Sequence, residues 1–212
     1  LCGPDAEEEI FRSLDPCSTF EELLLQLYPT HASNFVAAGR LAERLRSAQQ
    51  YTIGTAAVVA GHVGVVGDLT VEDKLSVGAA LVVTGNLVVN GLLSDCGPES
   101  RVVVLGSLRA KHINTSGWIT VIGDVNVDGV LRGTYNDDVF ECYGVIRAGV
   151  VLSDEHAIEA RAGIEPQNYP TSAGCWGPEI FNLRDEAHQL EVRVLLGESI
   201  DEHATIDFDR LI

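Results

Sequence analysis

The sequence contains no methionine, few aromatic residues and far fewer bases than acids. Its 14 lysines and arginines stand against 31 aspartates and glutamates, which gives a formal net charge of −17 at pH 7. A negative field of this size repels nucleic acid phosphates and attracts basic proteins. We therefore expect no nucleic-acid binding and a basic protein partner, although solubility alone also accounts for an acidic composition.

Long apolar runs are missing as well. No run approaches the roughly 20 apolar residues that a membrane-spanning helix needs, and the first residues do not resemble a signal peptide. These absences predict a soluble, cytoplasmic protein without membrane contact. The chain begins at Leu1 and lacks methionine, which indicates that its true start is missing or was removed. Its five cysteines include no Cys-x-x-Cys pair and predict free thiols in a reducing compartment.

Signatures of catalysis are absent from the sequence. It contains no phosphate-binding loop, no nucleophile elbow and no dinucleotide fingerprint. One short sequence of ionisable residues occurs twice, as Asp154-Glu155-His156 and as Asp201-Glu202-His203. Such clusters could hold a divalent metal or act as acid and base, but no third ligand stands at a familiar spacing. We predict a non-enzymatic protein without metal or cofactor and interpret both clusters as polar strand ends.

One short pattern recurs five times, with a glycine followed by alternating residues. The glycines stand 18, 21, 17 and 21 residues apart, and the positions two and four residues past each of them are apolar. This predicts a mainly β fold, a β-solenoid with about three short strands per turn and a glycine at one corner of each turn. The two apolar columns are Leu69, Leu87, Leu108, Val125 and Ile146, and Val71, Val89, Ala110, Val127 and Ala148.

Within the first turns a regular period of six residues predicts coils with three sides. Leucine recurs every six residues from Leu69 to Leu93, and valine follows two residues behind. The longer steps are expected to carry loops at 94–100 and 135–139, where turn-forming residues gather. An antiparallel sandwich of alternating strands is the alternative interpretation of the same pattern.

The Gly-Asp/Asn-apolar-x-apolar turns, as in Gly67-Asp-Leu-Thr-Val and Gly123-Asp-Val-Asn-Val, resemble those of bactofilins, bacterial polymer-forming β-solenoid proteins. The resemblance covers roughly residues 53–152. It implies a non-enzymatic protein that binds no nucleotide and polymerises end to end through its solenoid. The six-residue rhythm also resembles hexapeptide-repeat acyltransferases, but the steps of 21 and 17 residues depart from it and no histidine occupies a repeated position.

Three regions follow from these patterns. Residues 1–50 are predicted to form a helical N-terminal cap, with a capping box at 18–21 ahead of a leucine-rich run. Residues 51–152 form the solenoid. Residues 153–212 form an acidic, mixed C-terminal region that packs on or caps the solenoid, and from 151 onward 13 acids stand against four arginines.

Covered ends would block polymer formation, so we expect a monomer or homodimer that works as a protein-binding module. One concrete form is a bacterial immunity protein that neutralises a basic toxin, such as a nuclease, through an acidic surface. The alternative is a cytoskeletal scaffold of the bactofilin type. Aromatic anchors rimmed by charge are typical of interface centres. The predicted partner-binding residues are Asp154, Glu155, Asp201, Glu202, Tyr135, Tyr143 and Trp176.

Overall fold

The structure, a computed structural model, describes residues 50–95, 97, 100–135, 137–166, 180–201 and 205–211. The predicted helical cap lies outside these residues apart from Gln50. The described chain is mainly β and forms a parallel β-solenoid of about six turns over residues 50–165, which confirms the predicted fold class. The parallel pairing excludes the antiparallel sandwich.

Each turn of the solenoid has three faces. The first two turns use short separate strands: β1 (Gln50–Ile53), β2 (Ala57–Val59), β3 (Val63–Val65), β4 (Asp68–Val71), β5 (Leu75–Val77) and β6 (Ala80–Val83). In later turns one long strand covers the first and second faces: β7 (Leu87–Asp95), β9 (Leu108–Thr115), β11 (Val125–Thr134) and β13 (Ile146–Asp154). The third face continues with β8 (Arg101–Val104), β10 (Trp118–Val121), β12 (Val139–Cys142) and β14 (Ala157–Ala160).

The predicted apolar columns stack in register along the axis. Leu69 pairs with Leu87, Leu87 with Leu108, and Leu108 with Val125, although these steps differ in length. All ten residues of the two columns are buried, as are the leucines of the six-residue series. The unequal steps are absorbed where predicted, because residues 96–100 separate β7 from β8 and residues 135–138 separate β11 from β12.

A ladder of hydrogen bonds at one corner explains the recurring Gly-Asp/Asn pair. Asp68 Oδ1 accepts from the backbone N–H of Asn86 at 2.7 Å, and Asn86 Oδ1 accepts from the N–H of Ser107 at 2.9 Å. The glycine before each polar residue packs directly on the turn below. A Cβ on Gly106 would lie 2.5 Å from the carbonyl oxygen of Gly85, so this column requires glycine.

The C-terminal residues build a second apolar core outside the solenoid. After β15 (Ile164–Pro166), the strand β16 (Phe181–Asn182) pairs with the second half of β13, and helix α1 (Glu186–Leu196) follows. Asp185 caps the helix by accepting hydrogen bonds from the N–H groups of residues 187 and 188. This outer core covers the second face and contains Val130, Leu152, Phe181, Leu183, Val192, Ile200, Ile206 and Phe208.

Candidate interaction surfaces

The first coil, residues 50–65, is the first turn of the solenoid among the described residues. Within the described chain, β1, β2 and β3 each pair with another strand on one side only. Tyr51 and Ile53 occupy core positions, being in register with Leu69 and Val71, yet their exposed fractions are 44% and 38% against 5% and 0% one coil later. Within the described residues, the first coil therefore combines strands paired on one side with partly exposed apolar side chains.

The core is better covered by described residues at the opposite end of the solenoid. Ile158 on β14 continues the core column of the third face and is buried. Ile180 packs against the same core just before β16 begins. The two ends therefore differ, and the first coil has the larger exposed apolar surface among the described residues.

The acids predicted to bind a partner are largely paired within the chain. Asp154 Oδ1 accepts a hydrogen bond from Arg184 Nε at 2.6 Å, and Glu155 Oε2 lies 3.3 Å from the other end of the same guanidinium. Arg132 approaches Asp154 from the solenoid at 4.0 Å. These contacts connect β11 and β13 to the segment before helix α1, and they compensate part of the acidic charge.

Asp201 belongs to the same charged group. Burial lowers the pKa of the Arg132 guanidinium, while Asp154 and Asp201 oppose that shift. Asp201 Oδ1 also accepts the backbone N–H of Thr205 at 2.8 Å. The structure thus brings Asp154, Glu155 and Asp201 together around two arginines. The predicted residues Glu202 and Trp176 lie outside the described residues.

Tyr135 lies beside this group, at the corner between the second and third faces. Its side chain is 43% exposed, and its hydroxyl donates a hydrogen bond to Asp137 at 3.0 Å. The preceding Thr134 forms an isolated antiparallel bridge with Glu155, so the two segments lie side by side. The role of Tyr135 in partner binding stays a prediction.

Tyr143 lies at a different corner, between the third and first faces. The guanidinium of Arg161 covers its ring at 3.9 Å from the centroid. Burial raises the pKa of the Tyr143 hydroxyl, and the neighbouring Glu141 raises it further. Tyr143 is thus half-buried and engaged by its own chain, unlike the exposed ring of Tyr135.

The described residues offer little for metal chemistry. No group of three histidine, cysteine or carboxylate side chains in this part of the chain could hold a metal ion. No helix among the described residues is long and apolar enough to cross a membrane.

Sequence reasoning missed the first coil as a candidate surface. The signal was available, because counting back one 18-residue step from Leu69, Val71 and Leu81 gives Tyr51, Ile53 and Val63. The repeat pattern identifies these as core positions of a turn with no described neighbour below.

Comparisons with known proteins give no family for this chain. No family model, curated protein or solved structure matches it.

Proposed function

We propose that the protein is a non-enzymatic scaffold that binds a β-strand of a protein partner on its first coil. The observation that supports this most is the exposure of Ile53 and Val63 at core positions of strands that, within the described chain, pair on one side only. Strand addition at such an edge gains affinity from backbone hydrogen bonds and specificity from alternate side chains.

The first coil is also free of charged residues and prolines. Natural sheets discourage unwanted pairing with charged side chains and prolines on their edge strands. Residues 50–65 contain no aspartate, glutamate, lysine, arginine or proline, in a chain whose charged content is 21%. A coil without charged residues in a chain of net charge −17 fits a surface that pairs with another strand.

A matched pair of variants tests this proposal by light scattering behind a sizing column. The double variant Ile53→Lys with Val63→Lys places two positive charges at core positions of the first coil. Val58→Lys is the control, because Val58 is 76% exposed on the same coil but in register with the outward Ser76. If copies of the chain bind each other, the molar mass of the native protein and of Val58→Lys rises with protein concentration. The molar mass of the double variant should stay constant.

A second probe covers the case in which the native strand donor is a different protein. A labelled peptide with the sequence of residues 68–83 carries β4, β5 and β6, and its side that pairs with β7 and β8 in the folded chain is available to pair with the outer side of the first coil. Fluorescence anisotropy should detect its binding to the native protein and a loss of binding in Ile53→Lys with Val63→Lys. A monomer at every concentration that also fails to bind this peptide would contradict the proposal.

The corner that carries Tyr135, Asp137 and Glu155 supports a second candidate function. This is the docking of a basic protein in the manner of a toxin-neutralising immunity protein. The supporting observation is the exposed Tyr135 ring with the exposed acids Asp137 and Glu155 near it. Tyr135→Ala combined with Glu155→Gln should weaken binding of a strongly basic ribonuclease, measured by calorimetry at low salt. Glu159→Gln is the control, since Glu159 is an exposed acid on β14. Equal affinities in all variants would rule out this surface.

A further inference from the structure

His112 is a buried histidine between the solenoid and the outer core. It lies in the second half of β9, in register with Leu92 of β7, and is 4% exposed. Its ring faces away from the inner core, to which the next residue, Ile113, belongs. Phe208, in the C-terminal turn (Phe208–Arg210), packs edge-on against the ring. The ring is therefore part of the contact that joins the two cores.

Both ring nitrogens of His112 have hydrogen-bond partners. Nδ1 accepts from the backbone N–H of Val130, one coil later, at 3.1 Å. Nε2 lies 3.3 Å from the carbonyl oxygen of Leu211, directly after the C-terminal turn. A carbonyl oxygen can only accept, so Nε2 must carry the proton of the neutral ring and Nδ1 must not. Only this tautomer satisfies both contacts.

The backbone of β11 leaves the ring little room to move. A Cβ on Gly129 would lie 2.3 Å from Cε1 of His112 and 2.5 Å from its Nδ1, so the ring packs directly on this glycine. The pairing of β11 with β13 shifts register at the same place, between Val127 and Val130. A second proton on Nδ1 would therefore point at the Val130 N–H, and two donors would face each other in a buried site.

The charged groups on the elements around the ring do not replace these contacts. Those groups are Lys111 on β9, Asp128 on β11, Asp207, Asp209 and Arg210 at the C-terminal turn, and Lys74 of the solenoid. Lys111 lowers the pKa of His112 and Asp128 raises it, so the two oppose each other. Asp209 is paired with Lys74, and Asp207 with Arg210. The two hydrogen bonds to the ring nitrogens described above both come from backbone groups.

We propose that the two hydrogen bonds of His112 hold the C-terminal turn and the outer core on the second face of the solenoid, and that acid releases them. Protonation removes the acceptor for the Val130 N–H and leaves that buried donor unsatisfied. The charged ring then leaves its site, and Phe208, which packs on it, loses its support. Opening uncovers apolar residues of the second face such as Leu152. This inference does not rest on strand binding by the first coil.

The sign of the pH effect follows from burial. Burial lowers the pKa of His112 below its ordinary value of 6.5, so the unfolded chain binds the proton more tightly than the folded protein. The stabilisation is present above the ordinary value and is lost as pH falls through the lower folded value. Asp95 and Asp138 have pKa values raised by burial and contribute a trend of the opposite sign. The test must therefore isolate His112.

Two variants that do not titrate isolate this histidine. His112→Asn offers an acceptor in place of Nδ1, and His112→Gln offers a donor in place of Nε2. Native-state hydrogen exchange, corrected for the intrinsic exchange rate at each pH, compares residues 181–196 with β8 and β10. From pH 7.5 to 5.5 the protection of residues 181–196 in the native protein should fall on the order of tenfold, while β8 and β10 stay protected. In both variants this protection should be lower at pH 7.5 and change little with pH.

His188→Asn is the matched control, because His188 Nδ1 also accepts a backbone N–H, that of Asn182, at 3.0 Å in the outer region. This variant should keep the fall in protection with acid. A fall that persists in both His112 variants, or that disappears in His188→Asn, would overturn the proposal.

A second measurement needs no variant that must fold. Long-range proton–nitrogen NMR correlations distinguish the two nitrogens of each histidine ring in the native protein. Above the ordinary histidine pKa, His112 should show a protonated Nε2 and an unprotonated Nδ1, and its ring should titrate at a lower pH than an unfolded histidine peptide. A proton on Nδ1 of the neutral ring, or titration at a higher pH than the peptide, would also contradict the proposal.

Discussion

Asp124 Oδ1 accepts a hydrogen bond from the backbone N–H of Val145, one coil later, at 3.0 Å. The same carboxylate pairs through Oδ2 with Arg147 at 3.1 Å. Val145 has no polar side chain and is the last residue of the corner ladder that begins at Asp68. Asp124 therefore joins the two last full coils, and this contact makes the ladder testable.

Replacing Asp124 separates the two contacts. Asp124→Ala removes both and should lower the free energy of unfolding by about 1 kcal/mol, the usual net value of one such hydrogen bond. Asp124→Asn keeps the acceptor for Val145 and loses only the charge opposite Arg147, so we expect a smaller loss, as for other exposed ion pairs. Urea unfolding measures the free energy of unfolding of both variants. Equal losses in Asp124→Ala and Asp124→Asn would show that the hydrogen bond from the Val145 N–H contributes nothing.

Acid should weaken the same corner. The Val145 N–H and then Arg147 hold the pKa of Asp124 below its ordinary value of 3.8. A lowered carboxyl pKa stabilises the fold above the ordinary value, and that stabilisation is lost as pH falls through the folded value. Stability curves recorded from pH 5 downward should therefore fall less steeply for Asp124→Asn than for the native protein. An identical slope would contradict this assignment.

The glycine column should not tolerate a side chain. Gly106→Ala places a methyl group 2.5 Å from the carbonyl oxygen of Gly85, where only backbone could move to make room. We expect a loss of about 2–3 kcal/mol in the free energy of unfolding, as for other overpacked sites. Gly54→Ala is the matched control, because a Cβ there has no neighbour within 4 Å. If both variants unfold at the same urea concentration, the column does not require glycine.

The Cys142 thiol should be unreactive in the folded protein. It is buried, its Sγ donates to the Gly123 carbonyl at 3.3 Å, and burial raises its pKa to about 11. Because the thiolate is the reactive species, alkylation at neutral pH should be slow. Peptide mapping after iodoacetamide treatment should find Cys142 modified only when the chain is first unfolded. If Cys142 in the native protein reacts at the rate of a free thiol, the thiol is not buried as described.

Much of the inner solenoid could be predicted from sequence because its signal is local and repeated. The spacing of Leu69, Leu87 and Leu108 fixes both the strands and their register, since one face of every strand must be buried. The outer core could not be predicted, because its contacts join Val130 on β11 to residues near the end of the chain, such as Phe208. The sequence marked Asp154 and Glu155 as acids but could not place Arg184 against both.

The outer core should open without unfolding the solenoid. Phe208 is buried in it and packs edge-on against His112 of the second face, with ring centroids 6.0 Å apart. Phe208→Ala should lower the free energy of unfolding of the outer core by about 3 kcal/mol. The control is Val194→Ala, at a 75% exposed position on α1, which should change that free energy by less than about 0.5 kcal/mol. In native-state hydrogen exchange, Phe208→Ala should accelerate exchange in residues 181–196 and leave β8 and β10 protected. Equal acceleration in both parts would mean that inner and outer cores unfold as one cooperative unit.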